Sequence, residues 1–438
     1  MNSLVIYNAE IVDANGERHG WIAVADDYIS AAGSGDVPAE ILASSSQNID
    51  AKGAFLIPGL ADTHVHFREP GLTQKADMKS ESLAAVAGGI TTVFDMPNTV
   101  PPTITAEALA DKIRLTQGEG IACHITPLLG LAPGKAMEAL SKIDVEKAPA
   151  VKLFLGTTTG AMAAPEGSEL NDVFRFCADH HLPIIVHAED NEIIARNTAD
   201  AIAKYGSAEA VPVSMHSVIR SREACLRSSA HAVELAHRFG TPLHLAHVST
   251  ADEVRELLTA GPTAGKLVTA ETTPLYIDPI ISDPANRTSL LKVNPAIKTV
   301  ADAEALREAL FNGAIDTIGT DHAPHQRQEK LLPGITAMSG APSIQFALPL
   351  MLTYLPLAKI VEKMTAGPKT IFGIDIPTAL TVGARADFAL IREVPEYTIT
   401  DADVLSKCAW TPFAGRKAHH KVVATYVSGK QSILNISK

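Results

Sequence analysis

From about residue 57 to 375, short β-branched runs alternate with amphipathic stretches of helical period. Eight such runs stand out: IPGLADTHVH, TTVFDMP, CHITPLL, AVKLFL, PIIVHAE, PLHLAHV, KLVTAETT and DTIGTDHA. Strands separated by helices are the pattern of βα units around a parallel sheet. The helices carry edge signals: Thr250-Ala251-Asp252-Glu253 has capping-box form, and Gly88-Gly89 stops an alanine-rich helix. Eight strands with their helices predict a closed barrel, with a doubly wound open sheet as the alternative topology.

The two chain ends have a different rhythm. Residues 1–56 contain LVIYNAEIV and WIAVADDYISAAG, partly alternating and separated by the turn signal Asn15-Gly16. Residues 376–438 contain ADFALIREV and HKVVATYVSGKQSILN, with Ser428-Gly429-Lys430 as a hairpin turn. The ends are expected to meet in one small β domain, leaving 57–375 as the barrel.

Composition works by exclusion. At 46% hydrophobic and 20% charged residues, the chain has the balance of a well-buried globular protein. Its 37 Lys and Arg against 49 Asp and Glu give a net charge of −12. That is the wrong sign for a nucleic-acid or anionic-membrane surface. The longest apolar stretch, Phe346 to Leu355, is broken by Pro349 and falls far short of the ~20 residues of a membrane span. The N-terminus lacks the signals of a secretory leader, and the 4 cysteines form no C-x-x-C pair. These features predict a cytoplasmic protein acting on a small molecule, with no nucleic-acid or membrane partner and a homodimer as one option.

The polar residues on this scaffold carry the chemistry. His64 and His66 end the first strand, Lys152 sits in the fourth, His187 lies near the end of the fifth, His247 ends the sixth and Asp321 the eighth. In a barrel these strand ends converge on one face. His64 and His66, two apart on a strand, point to the same side. Each alone is commonplace; four imidazoles and a carboxylate together predict a site for zinc or a similar divalent ion. An ammonium cannot bind a metal. Buried beside two dications, however, Lys152 would lose its proton and could add carbon dioxide, giving an anionic carbamate that bridges the pair. Arg68, Asn98, Asn294 and His325 lie on loops at the same face and suit an anionic substrate, since a guanidinium grips a carboxylate with paired bonds. His124, His180, His181, His231, His237, His244, His419 and His420 are set aside as structural or surface residues.

IPGLADTHVHFREPG, VFDMPNT, VKLFLG, IIVHAED, LHLAHVST and GTDHAPH together resemble the dihydroorotases of the amidohydrolase superfamily, in the bacterial class related to allantoinase and dihydropyrimidinase. The resemblance spans nearly the whole chain. It implies a metal-dependent α/β protein: a TIM-like (β/α)8 barrel with a small β-sandwich domain built from both ends. The implied reaction interconverts L-dihydroorotate and N-carbamoyl-L-aspartate in pyrimidine biosynthesis. It also implies two zinc ions, one held by His64 and His66 and the other by His187 and His247, bridged by carbamylated Lys152 and a hydroxide. Asp321 matches the catalytic and metal-binding aspartate. Arg68, Asn98, Asn294 and His325 match substrate-binding positions. The competing readings are an allantoinase or hydantoinase and a non-catalytic barrel scaffold.

Three departures from the family pattern stand in the sequence. After the fourth strand, where many relatives carry an acidic FSDDG-like segment, the text is GTTTGAM. The usual NPPLR reads NPAIK, with Lys298 in place of arginine, and TPHH reads TPLY at Thr273 to Tyr276.

Overall fold

In the computed structural model, which describes residues 2–156 and 162–434, all eight barrel strands form. In chain order they are β1 (Leu60–Val65), β2 (Ile90–Asp95), β3 (His124–Pro127, resumed at Leu129–Gly130), β4 (Val151–Leu155), β5 (Ile184–Ala188), β6 (Leu243–Leu245), β7 (Val268–Thr272) and β8 (Thr317–Ile318). Neighbours pair in parallel from β1 to β8, with the interrupted β3 serving β2 through its first half and β4 through its second. Every residue of β1, β2 and β5 is buried, as expected of a parallel sheet covered on both faces. The TTTGA segment at 157–161, part of the departure that singled out Lys152, lies outside the described residues.

Closure between β8 and β1 uses few bonds, all buried. Val65 bridges His322, whose carbonyl accepts from His66 N at 2.7 Å. The Asp62 carboxylate accepts from Thr320 N at 2.9 Å and Thr320 Oγ1 at 2.5 Å. A parallel ring of eight is the TIM-barrel architecture, and the open-sheet alternative falls away.

The helix edges behave largely as read. Asp77 caps the helix Met78–Ala87, which ends at Gly88. A Cβ on Gly88 would lie 2.6 Å from the Ile344 carbonyl oxygen, so close backbone approach demands glycine there. Thr250 caps Ala251–Leu257. Glu253, however, directs its carboxylate to the hydroxyls of Thr250 and Ser229, both at 2.8 Å, so the box is not closed onto the cap backbone.

Both chain ends join in one separate eight-stranded sheet, running from Lys430–Leu434 through Lys417–Val427, Phe388–Thr398, Phe55–Pro58, Leu4–Asp13 and Gly16–Ala25 to Tyr28–Ser34. Asn48–Asp50 pairs with Leu4–Asp13 as well. Alternation assigns its faces: Leu56, Phe388 and Leu390 fill the small domain's own core, while Ile57, Ala389 and Ile391 pack into the barrel's. This is the β-sandwich domain. Among the described residues no helix is long and apolar enough to cross a membrane.

One buried ion pair ties the barrel wall to the loop after β1. Asp95 Oδ2 lies 2.7 Å from Lys112 Nζ with both side chains fully buried, and Asp95 Oδ1 accepts from Phe67 N at 2.8 Å. Breaking such a pair from one side typically costs about 3–5 kcal/mol, because it leaves an uncompensated charge. Lys112→Met is therefore expected to lower the urea unfolding midpoint markedly, and adding Asp95→Asn should recover part of the loss. Equal losses in the single and double variants would show that the charge is not the cause.

Candidate active site

The expected residues meet at the carboxyl ends of the strands. His64 Nε2 lies 3.7 Å, and His66 Nε2 3.1 Å, from Asp321 Oδ1. His187 Nδ1 lies 2.9 Å from His247 Nε2, and the His64 and His247 rings stack with centroids 5.1 Å apart. Lys152 starts two residues deeper in the barrel than His187, opposite Ile185 rather than alongside His187. Its long stem makes up the difference, bringing Nζ to 3.4 Å from His64 Nε2. Three of these side chains are aimed by unusual backbone. Arg68, His247 and Asp321 have φ of 69°, 42° and 46°, a left-handed region that costs a non-glycine residue roughly 1–3 kcal/mol and clusters at functional sites.

Two of the four imidazoles are hydrogen-bonded from behind and a third faces a carboxylate there, while His247 Nδ1 is buried with no hydrogen-bond partner. His64 Nδ1 meets Glu271 Oε1 at 2.8 Å, His66 Nδ1 meets Asn98 Oδ1 at 2.7 Å, and His187 Nε2 faces Glu189 Oε2 at 3.2 Å. This leaves His64 Nε2, His66 Nε2 and His187 Nδ1 turned to the cleft, the outer-sphere pattern of metal-binding histidines. Burial above all, helped by Lys152 and neighbouring cations, holds the His64 and His66 imidazoles well below their usual range; burial does the same for His247 and lowers His187 against the pull of Glu189. Neutral rings present lone pairs, which is the ligand form. Donors sharing a tetrahedral zinc ion lie about 3.3 Å apart for bonds of ~2.0 Å, and the spacings from His64 and His66 to Asp321 and between His187 and His247 fall within a few tenths of an ångström of that. Among the described residues, His64, His66 and Asp321 form a group able to hold a metal ion.

The carboxylates and the lysine share this burial. Burial pushes the Asp321 carboxyl up from its ordinary range. It brings the Lys152 ammonium down to about 8, against the pull of Glu271 and Asp321. Burial opposes the charged form of Glu189, yet its ion pair with Arg220 and its contact with His187 bring it down to about 2.

The cleft, about 360 Å³ with its open mouth included, is lined by His64, His66, Arg68, Asn98, His187, His247, Asn294 and Asp321, with Phe154, Ala323, Ser339 and Gly340. Asn98, read from sequence as a substrate contact, gives its oxygen to His66. Arg68 is buried, donates from Nε to the Pro324 carbonyl at 3.0 Å, and is brought down to about 10 by desolvation. His325 stands behind it, with Nε2 3.2 Å from Arg68 Nη2. Asn294 Oδ1 is buried with no hydrogen-bond partner.

Both pocket departures turn out to be supports. Tyr276 OH donates to the Pro295 carbonyl at 2.6 Å, Lys298 Nζ to the Ala296 carbonyl at 2.7 Å, and His216 Nε2 to the Val293 carbonyl at 2.9 Å. Three bonds thus clamp the backbone around Asn294. Sequence reasoning passed over Glu271, Glu189, Asp95 and His216. The usable signal was an acidic residue inside, or just after, an otherwise apolar strand, as in VTAET and IIVHAED. His244 is a core residue, its Nδ1 2.9 Å from Thr269 Oγ1.

Residues 55–431 match the amidohydrolase family. Curated relatives include the dihydroorotase of Pediococcus pentosaceus, 31% identical over 435 residues and covering 98% of each chain. That of Staphylococcus epidermidis is 34% identical over 411 residues, covering 90% of this chain and 92% of its own. Among solved structures, the L-hydantoinase (dihydropyrimidinase) of Arthrobacter aurescens superposes with a TM-score of 0.86 at 27% identity, covering 98% of this chain and 96% of its own. Dihydropyrimidinase from Brevibacillus agri gives 0.86 at 22% identity, covering 99% and 95%, a likeness of fold alone.

Glu271 offers a test of the outer sphere. Besides His64, its carboxylate accepts from Thr63 Oγ1 at 3.1 Å and His247 N at 3.3 Å. Losing such a partner typically costs 10–100-fold in metal affinity. Glu271→Gln, which keeps an acceptor but not the charge, is expected near ~10-fold and Glu271→Ala near ~100-fold, read by competition with a chromophoric chelator. Unchanged affinity in both would show that Glu271 serves packing only.

Proposed function

The chain belongs to the amidohydrolase family, among its dihydroorotases, and we propose that it interconverts L-dihydroorotate and N-carbamoyl-L-aspartate in pyrimidine biosynthesis. It is a cyclic amide hydrolase. The observation that carries the substrate assignment is Arg68: a buried guanidinium opening onto a cleft just beyond the His64–His66–Asp321 group. A desolvated cation at the mouth of a hydrolytic site calls for an anion, and dihydroorotate brings a carboxylate on its ring.

His64 and His66 would hold one zinc ion and His187 and His247 a second. Lys152, its Nζ 3.4 Å from His64 Nε2, would serve between the two pairs. As a neutral amine its nitrogen would add to the carbon of carbon dioxide and shed one proton, and the resulting carbamate would supply an anionic oxygen ligand in place of a cation. When bound, the ions supply a hydroxide nucleophile near neutral pH and polarise the amide carbonyl. Asp321, 3.1 Å from His66 Nε2, takes the proton from the attacking water and passes it to the departing ring nitrogen. Arg68 and His325 hold the carboxylate, and the partnerless Asn294 Oδ1 accepts from a ring N–H. Ring closure runs the same transfers backwards.

A hydantoinase-type activity is the second reading, supported by the Arthrobacter structure. An ultraviolet assay with dihydroorotate, dihydrouracil and hydantoin separates the two. Arg68→Ala is expected to reduce kcat/KM for dihydroorotate by about tenfold to hundredfold, with dihydrouracil, which lacks the acid, nearly unaffected. Equal losses on both rings would mean that Arg68 only shapes the loop. Lys152→Ala is expected to bind fewer than two zinc ions by elemental analysis and to lose nearly all turnover. A bare amine at the Lys152 tip in a metallated, active crystal would refute the carbamate.

A further inference from the structure

The short helix Arg327–Lys330 grips both sides of His325. Glu329 Oε1 pairs with Lys75 Nζ at 2.9 Å, and Lys75 Nζ in turn lies 3.1 Å from His325 Nδ1. On the other side, Lys330 donates to the carbonyls of Met338 and Gly340, both at 2.8 Å, and of Lys292 at 2.7 Å. This fixes the Ser339 carbonyl between them, 3.0 Å from His325 Nε2. Arg68 Nη2 approaches the same nitrogen at 3.2 Å.

These contacts choose one tautomer. A ring protonated on both nitrogens would aim N–H groups at two cations. A ring with its proton on Nδ1 would let Nε2 accept from Arg68, but it would point the N–H at Lys75 and set two lone pairs, on Nε2 and the nearer Ser339 O, against each other. With the proton on Nε2, Lys75 donates to Nδ1 and Nε2 donates to Ser339 O, satisfying both neighbours. Glu329 Oε2 does not compete for a proton on Nδ1: at 3.6 Å it is beyond hydrogen-bond reach, and it already accepts from Gln326 N at 2.9 Å. Arg68 Nη2 and the Nε2–H, which points at Ser339 O, are then two donors side by side, a pairing relieved when an anionic oxygen accepts from Arg68 and shares the Nε2–H with that carbonyl. Gly340 keeps that approach open, since a Cβ there would sit 2.9 Å from His325 Cδ2.

We propose that Lys75 is a positioning residue that fixes His325 as its Nε2–H tautomer, so that the ring meets the substrate's carboxylate as a donor beside Arg68. The role of that carboxylate rests on the dihydroorotase reading; the tautomer does not. Burial, together with Arg68, Lys75 and Lys330, holds His325 well below its usual range, consistent with a neutral ring.

Neutron diffraction from the unliganded holoenzyme reads the tautomer directly. A deuteron on His325 Nε2 and none on Nδ1 is expected; a deuteron on Nδ1 overturns the proposal. In kinetics, Lys75→Met should raise KM for dihydroorotate about tenfold to hundredfold while kcat and the KM for dihydrouracil stay within about threefold. Lys75→Gln, whose amide can still donate to Nδ1, should recover most of the loss. An unchanged KM in Lys75→Met, or equal damage to both substrates, overturns the positioning role. If Lys75→Met does not fold, Lys75→Gln and the wild-type nuclear map decide. Failure of the wild-type enzyme on dihydroorotate would sink the substrate reading and leave the tautomer still tested by that map.

Discussion

The hydrogen bonds that close the barrel between β8 and β1 hold the reactive groups in register. Asp62 binds both Thr320 N and its hydroxyl, and His322 O binds His66 N. Asp321 sits between those two anchors with its backbone in the left-handed region. It therefore has little freedom to turn away from His64 and His66. A one-residue slip in this seam would send the carboxylate to the other face of the sheet, because strand side chains alternate. Sheet closure and catalytic geometry are here the same constraint.

Behind that seam, burial decides which groups carry charge. The four imidazoles are kept neutral by desolvation, and cations crowd the same space: Lys152 beside His64, and Arg220 beside Glu189. Glu271, Glu189 and Asp321 answer them. Glu189 remains ionised through Arg220, while Glu271 and Asp321 are both raised by desolvation. Incoming metal ions would favour the ionised carboxylates and the neutral rings already present.

The substrate side is built on a different device, backbone carbonyls held by buried donors. Lys298, Tyr276 and His216 take the carbonyls around Asn294, and Lys330 takes those flanking Ser339. The departures at Lys298 and Tyr276 thus act on the shape of the pocket wall rather than on the ligand directly. A lysine, with three donors and a flexible stem, can satisfy several carbonyls that no secondary structure pairs.

Local pattern alone determined that eight βα units fill the middle of the chain and that both ends are β-rich, because strand and helix periods and turn residues are properties of neighbouring positions; the bonds closing β8 onto β1 decided for the barrel over the open sheet. It determined also that His64, His66, His187, His247 and Asp321 share one face, since strand ends in a parallel barrel converge. The partners of those residues were beyond its reach. Glu271 meets Thr63 across 208 positions, and Lys75 meets His325 across 250. Nothing in a run of neighbours specifies such pairs. Asn98 reads as a loop residue at the pocket, and only the fold shows that its oxygen also meets His66. Lys298 reads as a basic group at the pocket until burial turns it to a carbonyl. Which nitrogen of an imidazole is open, and which carboxylate keeps its charge, depends on dielectric and on atoms within a few ångströms. Only the tertiary structure brings those atoms together.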